Sequence, residues 1–245
     1  MAPEIIVDKP SELSETLARR FEEESRRALA ARGFFSVALP GGSVAATFFP
    51  HLCRAAGDWS RTHFFWGDER AVPPSDPESN FGAARSLWLE PAGIKASQIH
   101  RMEADAPDPE AAARAYAETM VRILGAPPRL DLVLLGVGPD GHVCSLFPGH
   151  PLLLEESRFV ALLEDSPKPP PRRLTLTLPV LAAAELVVVA ALGRSKAEIV
   201  REAIEEPSSA LPVARVVRRA RRCIFLLDAE AANSYGPSGI NPPGG

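Results

Sequence analysis

Phe34-Phe-Ser-Val-Ala-Leu39, then Pro40-Gly-Gly-Ser43, then Val44 to Ala56, is the stretch on which the fold turns. A short β-favouring run, apolar at all but one position, gives way to a glycine turn and then to a segment able to run as a helix. A strand apolar at nearly every position, rather than at every second one, is covered on both faces. Strand, glycine turn and helix together form the unit from which parallel sheets are built.

The unit recurs on either side. From Ser11 to Arg32, Leu13, Leu17, Phe21 and Ala28 recur at near-helical spacing among charges, which predicts an amphipathic helix capped by Ser11. His63-Phe-Phe-Trp66 predicts a strand, Ser79 to Leu89 and Pro109 to Leu124 predict helices, and Leu132-Val-Leu-Leu135 predicts the next strand. Further strands are expected at Phe159 to Leu163, Leu174 to Leu178, Leu186 to Ala191 and Cys223 to Leu227, with a helix from Ser195 to Ile204. The expected fold class is α/β, a doubly wound, mostly parallel sheet with helices on both faces. Residues 1–232 are expected to form a single domain, and the Gly/Pro-rich tail 233–245 to be disordered. Pro167-Lys-Pro-Pro-Pro171, between two expected strands, reads as a stiff extended connector.

Composition narrows the function. With 46% hydrophobic residues in 245, the chain can bury a full core, while a net charge of -4 creates no global field to draw in nucleic acid or an anionic membrane surface. An anionic ligand must therefore meet a local basic pocket. Cys53, Cys144 and Cys223 lack the pairing and spacing of a disulfide framework or structural zinc site, and no segment has the length of a membrane span or the pattern of an export signal. A soluble, cytoplasmic protein is expected, with no metal or other cofactor. The most basic run, Arg215, Arg218, Arg219, Arg221 and Arg222, has no interleaved aromatics on which bases could stack and reads as a solvated approach to the last strand.

Ligands of open parallel sheets bind beyond the carboxyl ends of the strands, so the loops after the strands carry the candidates. In the first loop, Gly41, Gly42 and Ser43 stand at a helix N-terminus, where free amides and the helix dipole favour a phosphate. An isolated Gly-Gly-Ser would be only a turn, and it matches neither nucleotide-binding glycine pattern. The second loop gathers Asp68, Glu69 and Arg70 after an aromatic strand; a solvated turn would look the same, but Arg70 suits a developing oxyanion or other anion. The third is the sharpest. Gly136, Gly138 and Gly141 surround Asp140 and lead to His142, a side chain able to act as general base near neutral pH, with Asp140 to orient it or bind substrate hydroxyls. A lone histidine is more often structural, and its strand-end position is what favours the functional reading. Cys144 is read as a buried apolar residue, because residues two apart on a helix do not face one another. Arg173 and Lys196 each open an element and could aim cations at a phosphate.

Taken together, Leu39-Pro-Gly-Gly-Ser43, Trp66-Gly-Asp-Glu-Arg-Ala-Val-Pro-Pro74, Ser79-Asn80, Gly136-Val-Gly-Pro-Asp-Gly-His-Val-Cys-Ser-Leu-Phe-Pro-Gly149, Asp165-Ser-Pro-Lys-Pro-Pro-Pro171 and Arg173-Leu-Thr-Leu-Thr-Leu-Pro-Val-Leu181 closely resemble the 6-phosphogluconolactonase family. The resemblance implies hydrolysis of a phosphorylated sugar lactone by a monomeric enzyme, with a phosphate site at Gly42, Ser43, Arg173 and Lys196 and a catalytic end at His142, Asp140 and Arg70. Where the family usually has Gly-Gly-Ser-Thr-Pro, this chain has Val44 and Ala45. The related glucosamine-6-phosphate deaminases resemble Ala-Phe-Asn-Glu-Pro after the histidine, supplying a carboxylate, whereas this chain reads Cys144-Ser-Leu-Phe-Pro148. A non-catalytic sugar-phosphate sensor is the alternative from another class.

Overall fold

A computed structural model describes residues 2–55 and 59–234. In chain order the strands are β1 (Glu4–Val7), β2 (Phe35–Leu39), β3 (Thr62–Trp66), β4 (Asp68–Arg70), β5 (Leu132–Gly136), β6 (Val160–Leu163), β7 (Arg173–Leu176), β8 (Leu186–Ala191) and β9 (Cys223–Leu227). The helices are α1 (Pro10–Arg32), α2 (Gly42–Arg54), α3 (Asn80–Ala84), α4 (Pro109–Leu124), α5 (Leu178–Ala183), α6 (Ala197–Glu205) and α7 (Pro212–Arg219). Six strands form an all-parallel sheet in the order β1-β9-β8-β5-β2-β3, and β4, β7 and β6 form a separate antiparallel sheet. Every residue of β2 and β8 is buried, so both faces of the large sheet are covered. The expected α/β fold is present, with the second sheet as an addition.

Several expected boundaries shift for identifiable reasons. Helix α1 begins at Pro10 with Lys9 in the cap position, not at Ser11, because the fixed φ of proline suits the first helical position. The expected strand Leu174 to Leu178 stops at Leu176, and Leu178-Pro179 opens α5 by the same proline effect. The segment Asp68–Arg70, read as a loop, is a strand: it pairs with β7, which no local propensity of Asp-Glu-Arg would announce. The basic run is partly helical. In α7, Val213, Val216 and Val217 are buried while Arg218 and Arg219 point outward. Of the expected tail, Asn233 and Ser234 lie in a turn, with Ser234 Oγ donating to Glu198 at 2.6 Å, and 235–245 fall outside the described residues.

An aromatic cluster centred on Trp88 packs one side of the sheet, with Phe21, Phe49, Trp59 and Phe64 at 5.3–5.8 Å between ring centroids. At the end of the sheet opposite the strand-end loops, buried Asp131 accepts hydrogen bonds from Ser36 N and Oγ, both 2.8 Å, and ties β2 to β5. Between these two strands the chain reverses direction of travel across the sheet, since β3 lies on one side of β2 and β5 on the other. A crevice is expected where their outgoing loops diverge.

Candidate active site

A cleft of about 210 Å³ opens at that point. Gly41, Gly42 and Ser43 after β2, Asp68 and Arg70 on β4, and His142 after β5 all line it, joined by Arg173 from β7 and Lys196 from the turn before α6. Asp140 stands behind His142 rather than in the lining. A larger hollow of about 610 Å³ beside His150, Leu154 and Asp165 contains none of the expected site residues.

The strand character of Asp68-Glu69-Arg70 explains how three consecutive charges divide their work. Side chains alternate across a strand, so Asp68 and Arg70 face the cleft while Glu69 points the other way. There the Glu69 carboxylate accepts from Ser79 Oγ (3.0 Å), Asn80 N (2.8 Å) and Phe81 N (2.7 Å), anchoring the start of α3; burial raises its carboxyl despite these bonds. Asp68 accepts from Ser145 Oγ at 2.7 Å and Asn80 Nδ2 at 3.1 Å. Arg70 donates to the carbonyl of Glu78 at 2.8 Å and its carboxylate at 3.2 Å, while its buried Nε has no hydrogen-bond partner among the described residues.

The loop after β5 is shaped around His142. Nδ1 of His142 lies 2.5 Å from Asp140 Oδ1, and the ring rests on Phe147 with centroids 4.7 Å apart. With Nδ1–H donating its hydrogen bond to Asp140, Nε2 is left as the basic nitrogen. Burial is the first influence on this imidazole and lowers its pKa below the ordinary value; Asp140 pulls upward and Lys168 downward. For Asp140, burial works upward, but the bond and charge of His142, then Lys168, outweigh it and hold the carboxyl low. A neutral histidine facing an ionised carboxylate is a base-competent arrangement. Gly138 is required by close approach: a Cβ there would overlap the His142 ring and Asp140 Oδ1.

Also in the lining, α2 begins with Gly41 in the cap position and no side-chain cap, so its first amides lack a partner from within the helix. Ser43 lies in this first turn and Lys196 faces it across the cleft lining. Val44, where the family pattern has a hydroxyl, fills the space above Gly136.

Arg173, expected at the phosphate site, lines the cleft and is also engaged in the fold. Only 3% exposed, it donates from Nε to Pro170 O at 3.0 Å and from Nη2 to Lys168 O and Pro169 O at 3.0 and 3.1 Å. Nε and Nη2 therefore brace the proline connector, while Nη1 lies 3.5 Å from Ser145 Oγ. The connector in turn delivers Lys168, absent from the sequence reading, whose Nζ lies 3.3 Å from His142 Nδ1 and 3.5 Å from Asp140 Oδ1. Its four flanking prolines were the available signal. Cys144 is not on a helix, contrary to the premise used to set it aside: it adopts φ 51° just after Gly141 at φ 82°, and it lines the cleft. Its thiol is pushed far above the ordinary range by burial, then by Asp68, which leaves it inert as a nucleophile. Among the described residues no group of His, Cys, Asp and Glu side chains could hold a metal ion.

The profile of the glucosamine-6-phosphate isomerases/6-phosphogluconolactonase family matches residues 8–225. The chain belongs to that family. Within it, the chain is 40% identical over 235 residues to the 6-phosphogluconolactonase of Rattus norvegicus, covering 93% of this chain and 91% of the rat protein. It is 42% identical over 217 residues to that of Mycobacterium tuberculosis, covering 84% and 87%. Among solved structures, the 6-phosphogluconolactonase from Trypanosoma cruzi superposes with a TM-score of 0.85 at 29% identity, covering 96% of this chain and 98% of that one. The family's fold and the strand-end placement of the cleft agree.

Proposed function

We propose that the chain hydrolyses 6-phospho-D-glucono-1,5-lactone to 6-phospho-D-gluconate, the lactone-opening step of the oxidative pentose phosphate route. The carrying observation is the Asp140–His142 pair at 2.5 Å, which turns a neutral imidazole nitrogen toward a cleft lined by Arg70, Arg173 and Lys196. Two full-length relatives that bear the lactonase name support the reading.

In this mechanism Nε2 of His142 takes a proton from water as the oxygen attacks the lactone carbonyl. The tetrahedral oxyanion forms beside the Arg70 guanidinium, which lines the cleft. The intermediate collapses with cleavage of the bond between the carbonyl carbon and the ring oxygen, and the imidazolium returns its proton to that oxygen. One water is consumed and no covalent intermediate is required. The phosphate lies on the first amides of α2, Ser43 Oγ and the Lys196 ammonium. Burial and the nearby Lys168 lower the pKa of Lys196, so an arriving phosphate relieves two crowded cations. The same reading takes residues 1–232 as one domain working as a cytoplasmic monomer on a free small molecule, in keeping with three unpaired cysteines. Among the described residues no helix is long and apolar enough to cross a membrane.

The test supplies freshly made lactone and couples product formation to 6-phosphogluconate dehydrogenase, with spontaneous hydrolysis subtracted. Acceleration well above that background is expected; none, or ammonia release from glucosamine 6-phosphate instead, overturns the assignment.

A further inference from the structure

The connector 166–171 is fixed far more firmly than a surface loop requires. Ser166 Oγ donates to Lys168 O at 2.8 Å and accepts from Lys168 N at 3.2 Å, and Ser166 N donates to Pro171 O at 3.0 Å. Arg173 adds its three bonds to successive carbonyls of Lys168, Pro169 and Pro170. Prolines on both sides of Lys168 remove most of the remaining backbone freedom. All of this anchoring converges on one lysine whose side chain is 39% exposed, yet whose ammonium reaches neither open solvent alone nor a simple ion pair. It stands over the junction of Asp140 Oδ1 and His142 Nδ1.

Nδ1 carries a single hydrogen or a single lone pair, so it cannot both donate to Asp140 and accept from Lys168. The 2.5 Å contact to Asp140 is the shorter, which leaves the ammonium and Nδ1–H as two donors sharing one carboxylate oxygen. A carboxylate beside a histidine ordinarily stabilises the imidazolium and would charge the base before water is deprotonated. A cation on the same oxygen cancels that field without disturbing the hydrogen bond that orients the ring.

We propose that Lys168 is a positioning residue of the hydrolytic site, pinning the Asp140 carboxylate and keeping His142 uncharged until it takes the proton of the attacking water. The charged groups around His142 are Asp140 on its own loop, Asp68 from β4 and Lys168 from the connector, with Arg70, Arg173 and Lys196 in the same cleft lining. Of these, Lys168 is the only cation that touches the ring. The ammonium also makes the transient imidazolium a stronger acid for returning its proton to the ring oxygen.

The experiment is an NMR titration of the His142 ring in the substrate-free full-length protein, with its signal assigned by loss in His142→Asn. In Lys168→Gln the His142 pKa should rise by about one unit, and Lys168→Arg should restore the wild-type value. An unmoved or lowered value in a folded Lys168→Gln protein overturns the proposal. Its kinetic counterpart rests on the hydrolase reading: the acid limb of kcat/KM for the lactone should move up with the ring pKa. A uniform loss at every pH, with the limb in place, would reduce Lys168 to a structural role. Because the titration needs no turnover, a protein that shows the shift but opens no lactone sinks the functional assignment and leaves the Lys168 proposal standing.

Discussion

Arg70 and Arg173 are direct partners across the antiparallel β4–β7 ladder, two like charges side by side at the rim of one cleft. Such a pairing costs stability unless an anion lies between. Arg70→Met should lower kcat/KM by about 100-fold, the loss expected for one oxyanion donor. Arg173→Met should instead lower thermal stability by several degrees, because its three connector bonds, each about 1.5–3 kcal/mol for a charged donor, go with it. Differential scanning fluorimetry alongside the coupled assay separates the two; equal effects on stability would contradict the division.

His142→Ala should reduce kcat by about 100- to 10,000-fold while 6-phosphogluconate still binds, measured by calorimetry. Full activity in that variant would remove the base assignment. Because burial holds the imidazole below its ordinary pKa, the uncharged base persists to lower pH than a free histidine allows, and the acid limb of kcat/KM should fall below pH ~6.5.

Gly138→Ala places a methyl where the His142 ring and Asp140 carboxylate meet. Activity should fall at least about 100-fold, as misplacement of a catalytic group does, with an unchanged far-UV circular dichroism spectrum. An active Gly138→Ala enzyme would show that the loop can yield.

Acid sensitivity of the fold should trace to His63 and His100, whose rings bond at 2.9 Å between Nδ1 and Nε2 beside edge strand β3. Burial, then the charge of His63, lowers the His100 pKa to about 4, and burial lowers that of His63. A histidine depressed in the folded state contributes stability that is complete above its unfolded pKa of ~6.5 and is lost as pH falls from there toward the folded value. Unfolding free energies from urea titration should therefore drop between pH 7 and pH 4.5, by about 1–2 kcal/mol after discounting for solvent screening of these partly buried rings. His100→Leu should flatten the dependence; an equally steep curve in that variant would place the acid sensitivity elsewhere.

Five strands of the large sheet were legible because they are largely apolar, and Leu186–Ala191 and Cys223–Leu227 fall where composition alone puts them; the edge strand β1, four residues long and only partly buried, was missed. The loops that follow such strands named most of the cleft. What the sequence hides is written in pairing and approach across space. Asp68-Glu69-Arg70 becomes a strand only through β7. Lys168 meets His142 across 26 residues; its flanking prolines signal a stiff connector but not the group that connector reaches. In α7 the valines at helical spacing were present, but the arginines between them dominated the pattern.

Gly67 joins the two sheets, donating its N–H to Leu39 O at 3.0 Å and accepting from Leu176 N at 2.8 Å. On one side of that seam hang the base and the helix amides, and on the other the paired arginines and the braced lysine. Chemistry and recognition therefore both straddle the seam: base and phosphate amides on one side, oxyanion arginine and braced lysine on the other. A change in the angle between the two sheets at Gly67 would thus draw the base away from its oxyanion donor even with every side chain retained.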